Sequence, residues 1–175
     1  FVVYEKFINR ILAKIIMPHI LDGKKIAQKL KDQLKIEIEN IKIKSNRVPG
    51  LAVIQVGNVA ASSVYVKAKT KAAKDVGIDV IDHHLEESIN QNDLINLINQ
   101  LNNNDNVNGI LVQLPLPKTI NEEVVLNSIA PEKDADGFHP LNVGKLSIIQ
   151  KKDESLMIPF TPNGCLLLLR ELNIN

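Results

Sequence analysis

The run Leu51-Ala52-Val53-Ile54-Gln55-Val56-Gly57 decides the fold, being short, almost wholly apolar and closed by a glycine. Such a run has no polar side to offer water, so it reads as a parallel strand covered on both faces and feeding a turn. Ala60 to Val76 then holds no helix breaker and stops at Gly77, a natural C-terminal cap residue, so a helix is expected there. Ile78 to Leu85 reads as a second strand. Leu94, Ile95, Leu97, Ile98 and Leu101 recur at helical spacing up to the asparagine-rich stretch Asn102 to Asn108. Gly109 to Leu114 is a third apolar strand halted by Pro115 and Pro117, and a short helix around Glu122 to Ile129 follows. Upstream, Asp22 can cap a helix carrying Ile26, Leu30, Leu34, Ile38 and Ile41; the partial alternation from Ile36 to Ile43 also fits a strand, but the length without a turn signal favours helix up to the break at Ser45 to Gly50. This order predicts an α/β fold, a three-layer domain with a mainly parallel sheet and helices on both faces. Its ligands are expected beyond the carboxyl ends of the strands.

Length and composition narrow the function classes. A chain of 175 residues, 45% hydrophobic and 23% charged, has enough apolar surface for one domain with a real core. A net charge of +1 and only 3% aromatic residues leave neither the basic footprint nor the stacking platforms of a nucleic-acid binder, so no nucleic-acid partner is expected. Cys165 is the single cysteine, which excludes an internal disulfide and any cysteine-based zinc site, and fits a reducing compartment such as the cytoplasm. Its neighbours Leu166 to Leu169 read as the core side of a helix. The first residue is Phe1, and Met17 is read as the native start. The preceding segment places Phe1, Tyr4, Ile8, Ile11, Leu12 and Ile15 on one helical face, with Glu5, Lys6, Arg10 and Lys14 interrupting any membrane span. Residues 1–16 are thus expected to be an extension that is neither a transit peptide nor a secretory signal.

Pro131 to Pro140 reads as a polar turn region and Lys151 to Glu154 as an exposed loop. Thr161 followed by Pro162 is a helix start signal, and the apolar run carries that helix toward Leu172. A helix launched there is expected to lead into a further domain. His83 and His84 are neighbours on a strand and so face opposite ways, which suits exposed or edge positions better than joint metal chelation; no metal site is expected.

Four residues stand where chemistry could occur. Tyr65 and Lys69 are four apart on the helix after the first strand, so both project from one face near the carboxyl edge of the sheet. A lysine drawn into a partly apolar cleft has its charged form disfavoured, which suits it to proton transfer or to positioning water; a solvated helix lysine is the plainer alternative. Gln113 interrupts the third strand at its carboxyl end, and a buried amide there must find either a backbone group or a ligand and its water. Asp136 precedes Gly137 in what is ordinarily just a turn, though a carboxylate beside a cleft can also accept two hydrogen bonds from a guanidine-like ring edge. The Tyr-x-x-x-Lys spacing also occurs in short-chain dehydrogenases. That reading fails because the chain contains no G-x-G-x-x-G dinucleotide turn.

The segments Gly57 to Lys71, Gly109 to Pro117, Pro131 to Leu146 and Pro159 to Gly164 together resemble the signature stretches of the bifunctional methylenetetrahydrofolate dehydrogenase/methenyltetrahydrofolate cyclohydrolase family, over nearly everything after Met17. The resemblance implies interconversion of 5,10-methylene-, 5,10-methenyl- and 10-formyltetrahydrofolate. Lys69 would be the catalytic lysine of the cyclohydrolase step, Gln113 would hold it or the water, Tyr65 would stack on the folate and Asp136 would bind the pterin edge. The stretches Tyr65, Val66, Lys67, Ala68, Lys69 and Val112, Gln113, Leu114 would line the pocket, with Ser62 where the family's helix begins near the site. NADP would belong to a dinucleotide-binding domain beyond this chain, so residues 17–160 would form the folate-binding catalytic domain and residues 161–175 the start of a linking helix. A homodimer is implied as well. Phe160 stands where the family usually carries cysteine, which removes any contribution of that thiol. A non-catalytic folate-binding fragment is the competing reading; intact Lys69, Gln113 and Asp136 argue against it.

Overall fold

The computed structural model describes residues 21–58, 60–148 and 156–171, so the amphipathic face assigned to residues 1–16 and the loop assigned to Lys151 to Glu154 lie outside the described residues. Helix α1 (Gly23–Ser45) starts where Asp22 Oδ1 accepts the N–H groups of Lys24 and Lys25 at 3.0 and 3.1 Å, satisfying donors that a helix start leaves unpaired. It ends at Asn46, in the left-handed region at φ 54°, whose N–H donates to Lys42 O at 2.9 Å. Helix prevails over strand here because only the helical period turns Ile38 inward, against Gly77, and leaves Ile36 and Ile43 outside.

Strands β1 (Gly50–Val56), β2 (Asp79–Leu85) and β3 (Gly109–Val112) form a parallel sheet of order β2-β1-β3, with Ile54 opposite both His83 and Val112. Helix α2 (Ala60–Val76) crosses from β1 to β2, and α3 (Gln91–Asn102) leads to β3. Side chains alternate along each strand. Ala52, Ile54, Val56, Ile110 and Val112 turn to one face, where they pack with Leu94, Ile98 and Leu101 of α3 and with Val125 of α4 (Glu122–Ser128). Val53 and Leu111 turn to the other and meet Val66 of α2. The sheet is therefore covered on both faces, as expected, and each fully buried Leu or Ile adds about 2 kcal/mol of transfer free energy. Gly50 permits a close crossing: a Cβ there would lie 1.8 Å from Asn106 O.

The carboxyl-terminal third departs from expectation. β3 ends at Val112, two residues before Leu114: Gln113 N still donates to Ile54 O of β1, and the chain then leaves the sheet through Pro115. A helix not anticipated, α5 (Pro140–Ile148), follows a 3-10 turn at Pro131–Lys133; its signal was Pro140, at the first helical position where a missing N–H costs nothing. Helix α6 (Phe160–Glu171) starts one residue before Thr161, so Thr161 lies inside the first turn rather than capping it, and Asn163 N donates to Pro159 O. Cys165 is exposed, with Leu166 and Leu169 about half exposed and Leu167 and Leu168 partly buried, so the core assignment of this segment does not hold: none of its described residues is fully buried. His83 and His84 do face opposite sides of the edge strand β2.

Candidate active site

The turn at Gly57, with φ +71° and its N–H donating to Leu85 O at 2.8 Å, carries the chain from β1 into α2 and sets that helix above the carboxyl ends of the strands. From α2, Lys69 reaches toward β3, and its Nζ donates to Gln113 Oε1 at 3.3 Å. Gln113 is half-buried, and its Nε2 donates to Leu114 O at 2.7 Å. The amide therefore meets a backbone group with one end and a lysine with the other. This orientation leaves the lysine ammonium two further N–H donors and a fixed direction.

Asp136 arrives from the turn between the 3-10 segment and α5. Burial pushes its carboxyl above the ordinary aspartate range, the charge of Lys69 pulls it back down, and the like charge of Asp134 adds to the rise. Gly137 sits at φ +71°, and a Cβ there would come within 2.8 Å of Pro159 N and 2.9 Å of Ile158 C, so the Asp-Gly pair is set by conformation and by the neighbouring segment. Lys69, Gln113 and Asp136 thus converge from three separate elements.

The other nominated residues divide by direction. Tyr65, one turn before Lys69, is 64% exposed, an open ring at the helix start that a flat ligand could cover. Ser62 is buried on the sheet side of α2. Val66 is buried against Val53 and Leu111, and Val112 is buried on the opposite face of the sheet, so these two support the site from below with their side chains in the core. Leu114 is half-buried beside Gln113, Ala68 is exposed, and Lys67 points to the β2 flank of α2. There a groove of about 530 Å³ is lined by Lys67, Thr70, Lys71, Lys74, Asp82 and His84, closed by Thr70 Oγ1 donating to Asp82 and by the Lys74–Asp82 pair at 3.3 Å. Lys69 does not line it. A second hollow, about 570 Å³, opens beyond β1 and β3 between Gly57, Asn58 and Pro115 to Thr119. Among the described residues no group of three His, Cys, Asp or Glu side chains could hold a metal ion. No described helix is long and apolar enough to cross a membrane.

Asp134 was missed in the sequence. It is 2% exposed, and its Oδ2 accepts His139 N at 2.8 Å and Asn142 Nδ2 at 2.9 Å. No local pattern marked it, since both of its side-chain partners lie later in the chain, at the start of α5.

A lysine, an amide and a carboxylate gathered at the carboxyl edge of a parallel sheet define a class of protein, the α/β domains that hold a small polar-edged substrate beyond their strands. The family model of the tetrahydrofolate dehydrogenase/cyclohydrolase catalytic domain matches residues 21–136, and the chain belongs to that family. The bifunctional protein FolD of Acetivibrio thermocellus is 51% identical over 156 residues, which cover 89% of this chain and 53% of that relative. The bifunctional protein FolD 2 of Arabidopsis thaliana is 49% identical over 150 residues, 86% of this chain and 50% of the relative. Among solved structures, the bifunctional methylenetetrahydrofolate dehydrogenase/cyclohydrolase of Campylobacter jejuni superposes with a TM-score of 0.84 at 47% identity, covering 89% of this chain and 54% of that one. The enzyme of Trypanosoma brucei, solved with NADP and an inhibitor, gives 0.86 at 33% identity over 90% and 54%. The chain spans about half the length of the curated relatives it matches.

Proposed function

We propose that this chain is the folate-binding, cyclohydrolase half of an enzyme that oxidises 5,10-methylenetetrahydrofolate with NADP and hydrolyses the resulting methenyl form to 10-formyltetrahydrofolate. The observation that carries the reading is the Lys69 Nζ to Gln113 Oε1 bond at 3.3 Å, with Asp136 close enough to feel the lysine's charge. Tyr65 would stack on the pterin, and Asp136 would accept from its amino-pyrimidinone edge, a bidentate match that fixes the one-carbon bridge over Lys69. Water adds to the methenyl carbon and the bond from that carbon to N5 breaks. Of the two protons the water gives up, one ends on N5 and one is released, and Lys69, aimed by Gln113, handles their movement. Burial of Asp136 strengthens its hydrogen bonds to a bound ring and excludes competing solvent.

The residues of this chain do not fit the dinucleotide. β1 runs through Gly57 and Asn58 toward a helix beginning Ala60-Ala61-Ser62, with no glycine-rich phosphate turn. NADP is assigned to a domain outside residues 1–175, and the helix Phe160–Glu171 to the start of the link toward it; the remainder of the segment 161–175 lies outside the described residues. A homodimer in the cytoplasm completes the reading: the dimer is what the family resemblance implies, and the lone cysteine fits a reducing compartment.

Lys69→Met in the full-length protein tests it. The substitution keeps the stem and removes the ammonium, so methenyl hydrolysis is expected to fall at least about 100-fold, the scale of a lost acid–base group, while folate still binds. Hydrolysis at the wild-type rate would refute the assignment.

A further inference from the structure

We infer that Asp134 is a positioning residue for Asp136, acting through the hydrogen bonds that tie β3, the Asp-Gly turn and α5 into one frame. The inference rests on the reading of Asp136 as a folate-binding carboxylate. Asp134 begins the turn, and its backbone pairs beside Ile110 of β3, with Ala135 N donating to Ile110 O at 3.2 Å. Its side chain holds the far end of the same turn. Oδ2 accepts the N–H of His139, immediately before α5, and the amide of Asn142 within its first turn. Asn142 is buried and spends its other donor on Pro131 O at 2.8 Å, so one amide clamps both ends of the segment that bears Asp136. Gly137 N closes the turn on Asp134 O at 3.2 Å.

Between these anchors, residues 135–138 have little freedom, and the direction of the Asp136 carboxyl follows from them. A buried carboxylate two residues from a substrate-binding one is electrostatically unfavourable, since the charge of Asp134 disfavours that of Asp136. An apolar residue at 134 would avoid that repulsion and would leave His139 N and one of the two Asn142 Nδ2 hydrogens without an acceptor. Lys69, from α2, and Asp134, from the turn itself, are the charges that bear on Asp136, with opposite signs.

The test uses the full-length protein with Asp134→Asn, Asp134→Ala and Asn142→Ala. Asp134→Asn keeps one acceptor oxygen and loses the charge; Asp134→Ala loses both. Two readouts are taken below the unfolding temperature: affinity for a non-reactive folate analogue, and the titration of the Asp136 carboxyl by carbon NMR without ligand, assigned by its loss in Asp136→Asn. Asp134→Ala is expected to weaken analogue binding at least tenfold, Asn142→Ala about threefold, and Asp134→Asn to recover most of the loss while its Asp136 titrates at lower pH than in the wild type. If Asp134→Ala does not fold, Asn142→Ala and Asp134→Asn carry the test. Wild-type affinity and an unmoved Asp136 titration in the folded variants would overturn the inference. If the wild type itself fails to bind the analogue, the folate reading fails, and the Asp136 titration still decides whether Asp134 governs that carboxyl.

Discussion

Asp136 carries two opposed demands. A charge-assisted pair to a ring edge is worth about 1.5 to 3 kcal/mol, so Asp136→Ala is expected to weaken folate binding by that amount in a binding isotherm. An unchanged dissociation constant with an intact fold would return the residue to a plain turn role. The same carboxyl is a burden on the fold. Its folded pKa is raised, chiefly by burial, so above the unfolded value the unfolded chain gives up the proton more readily and stability falls as pH rises through the window up to the folded value. Asp136→Asn, neutral at every pH, is therefore expected to be the more stable protein near neutrality, by about 1 kcal/mol or less given the partial solvent screening. The advantage should vanish below about pH 4, where aspartate is protonated in both states. Thermal melts at pH 7 and pH 3.5 check the sign.

At the scale of elements, α3 shows how the frame under the site is tied together. Lys133 Nζ donates to Leu101 O, Asn102 O and Asn104 O at 3.2, 2.7 and 2.9 Å, satisfying carbonyls at the helix end and meeting the negative end of its dipole. Asn102 joins the same end to α4, its Nδ2 donating to Ser128 O and its Oδ1 accepting Ala130 N. Lys133→Met is expected to cost about 2 kcal/mol in urea denaturation, since it removes charge-assisted bonds while keeping the aliphatic stem. A loss under half that would mean that water replaces the ammonium freely. The Asp22 cap and the Gly77 stop were legible because capping chemistry is local. The start of α6 was misread by two residues: Thr161 offers a hydroxyl for a cap with Pro162 as the first helical residue, but the helix begins at Phe160 and its hydrogen bond already closes on Pro159 O.

For the whole molecule, the expected behaviour of residues 1–175 alone is no NADP- or NAD-dependent oxidation of methylenetetrahydrofolate, because the sequence holds no G-x-G-x-x-G stretch to supply the backbone amides of a phosphate cradle. The purified chain is given substrate and either cofactor, and absorbance of the reduced cofactor is followed; sustained protein-dependent reduction would place the cofactor site within this chain. The strands, the helices from α1 to α4 and the parallel character of the sheet were readable because hydrophobic period and cap chemistry act over a few residues and strand alternates with helix; the order β2-β1-β3 came from the structure. The candidate residues were readable too, Tyr65 and Lys69 by their helical spacing, Gln113 by its break in an apolar strand, and Asp136 by its turn. The roles proposed for them came from the resemblance to the family's ordered motifs. Only the tertiary structure could decide that Lys69 leans to Gln113 while Lys67 faces the opposite flank, that Val66 and Val112 serve the core, that Cys165 is exposed, and that Asp134 locks the turn holding Asp136. Each of those outcomes depends on contacts between residues distant in the chain, whose partners no local pattern names.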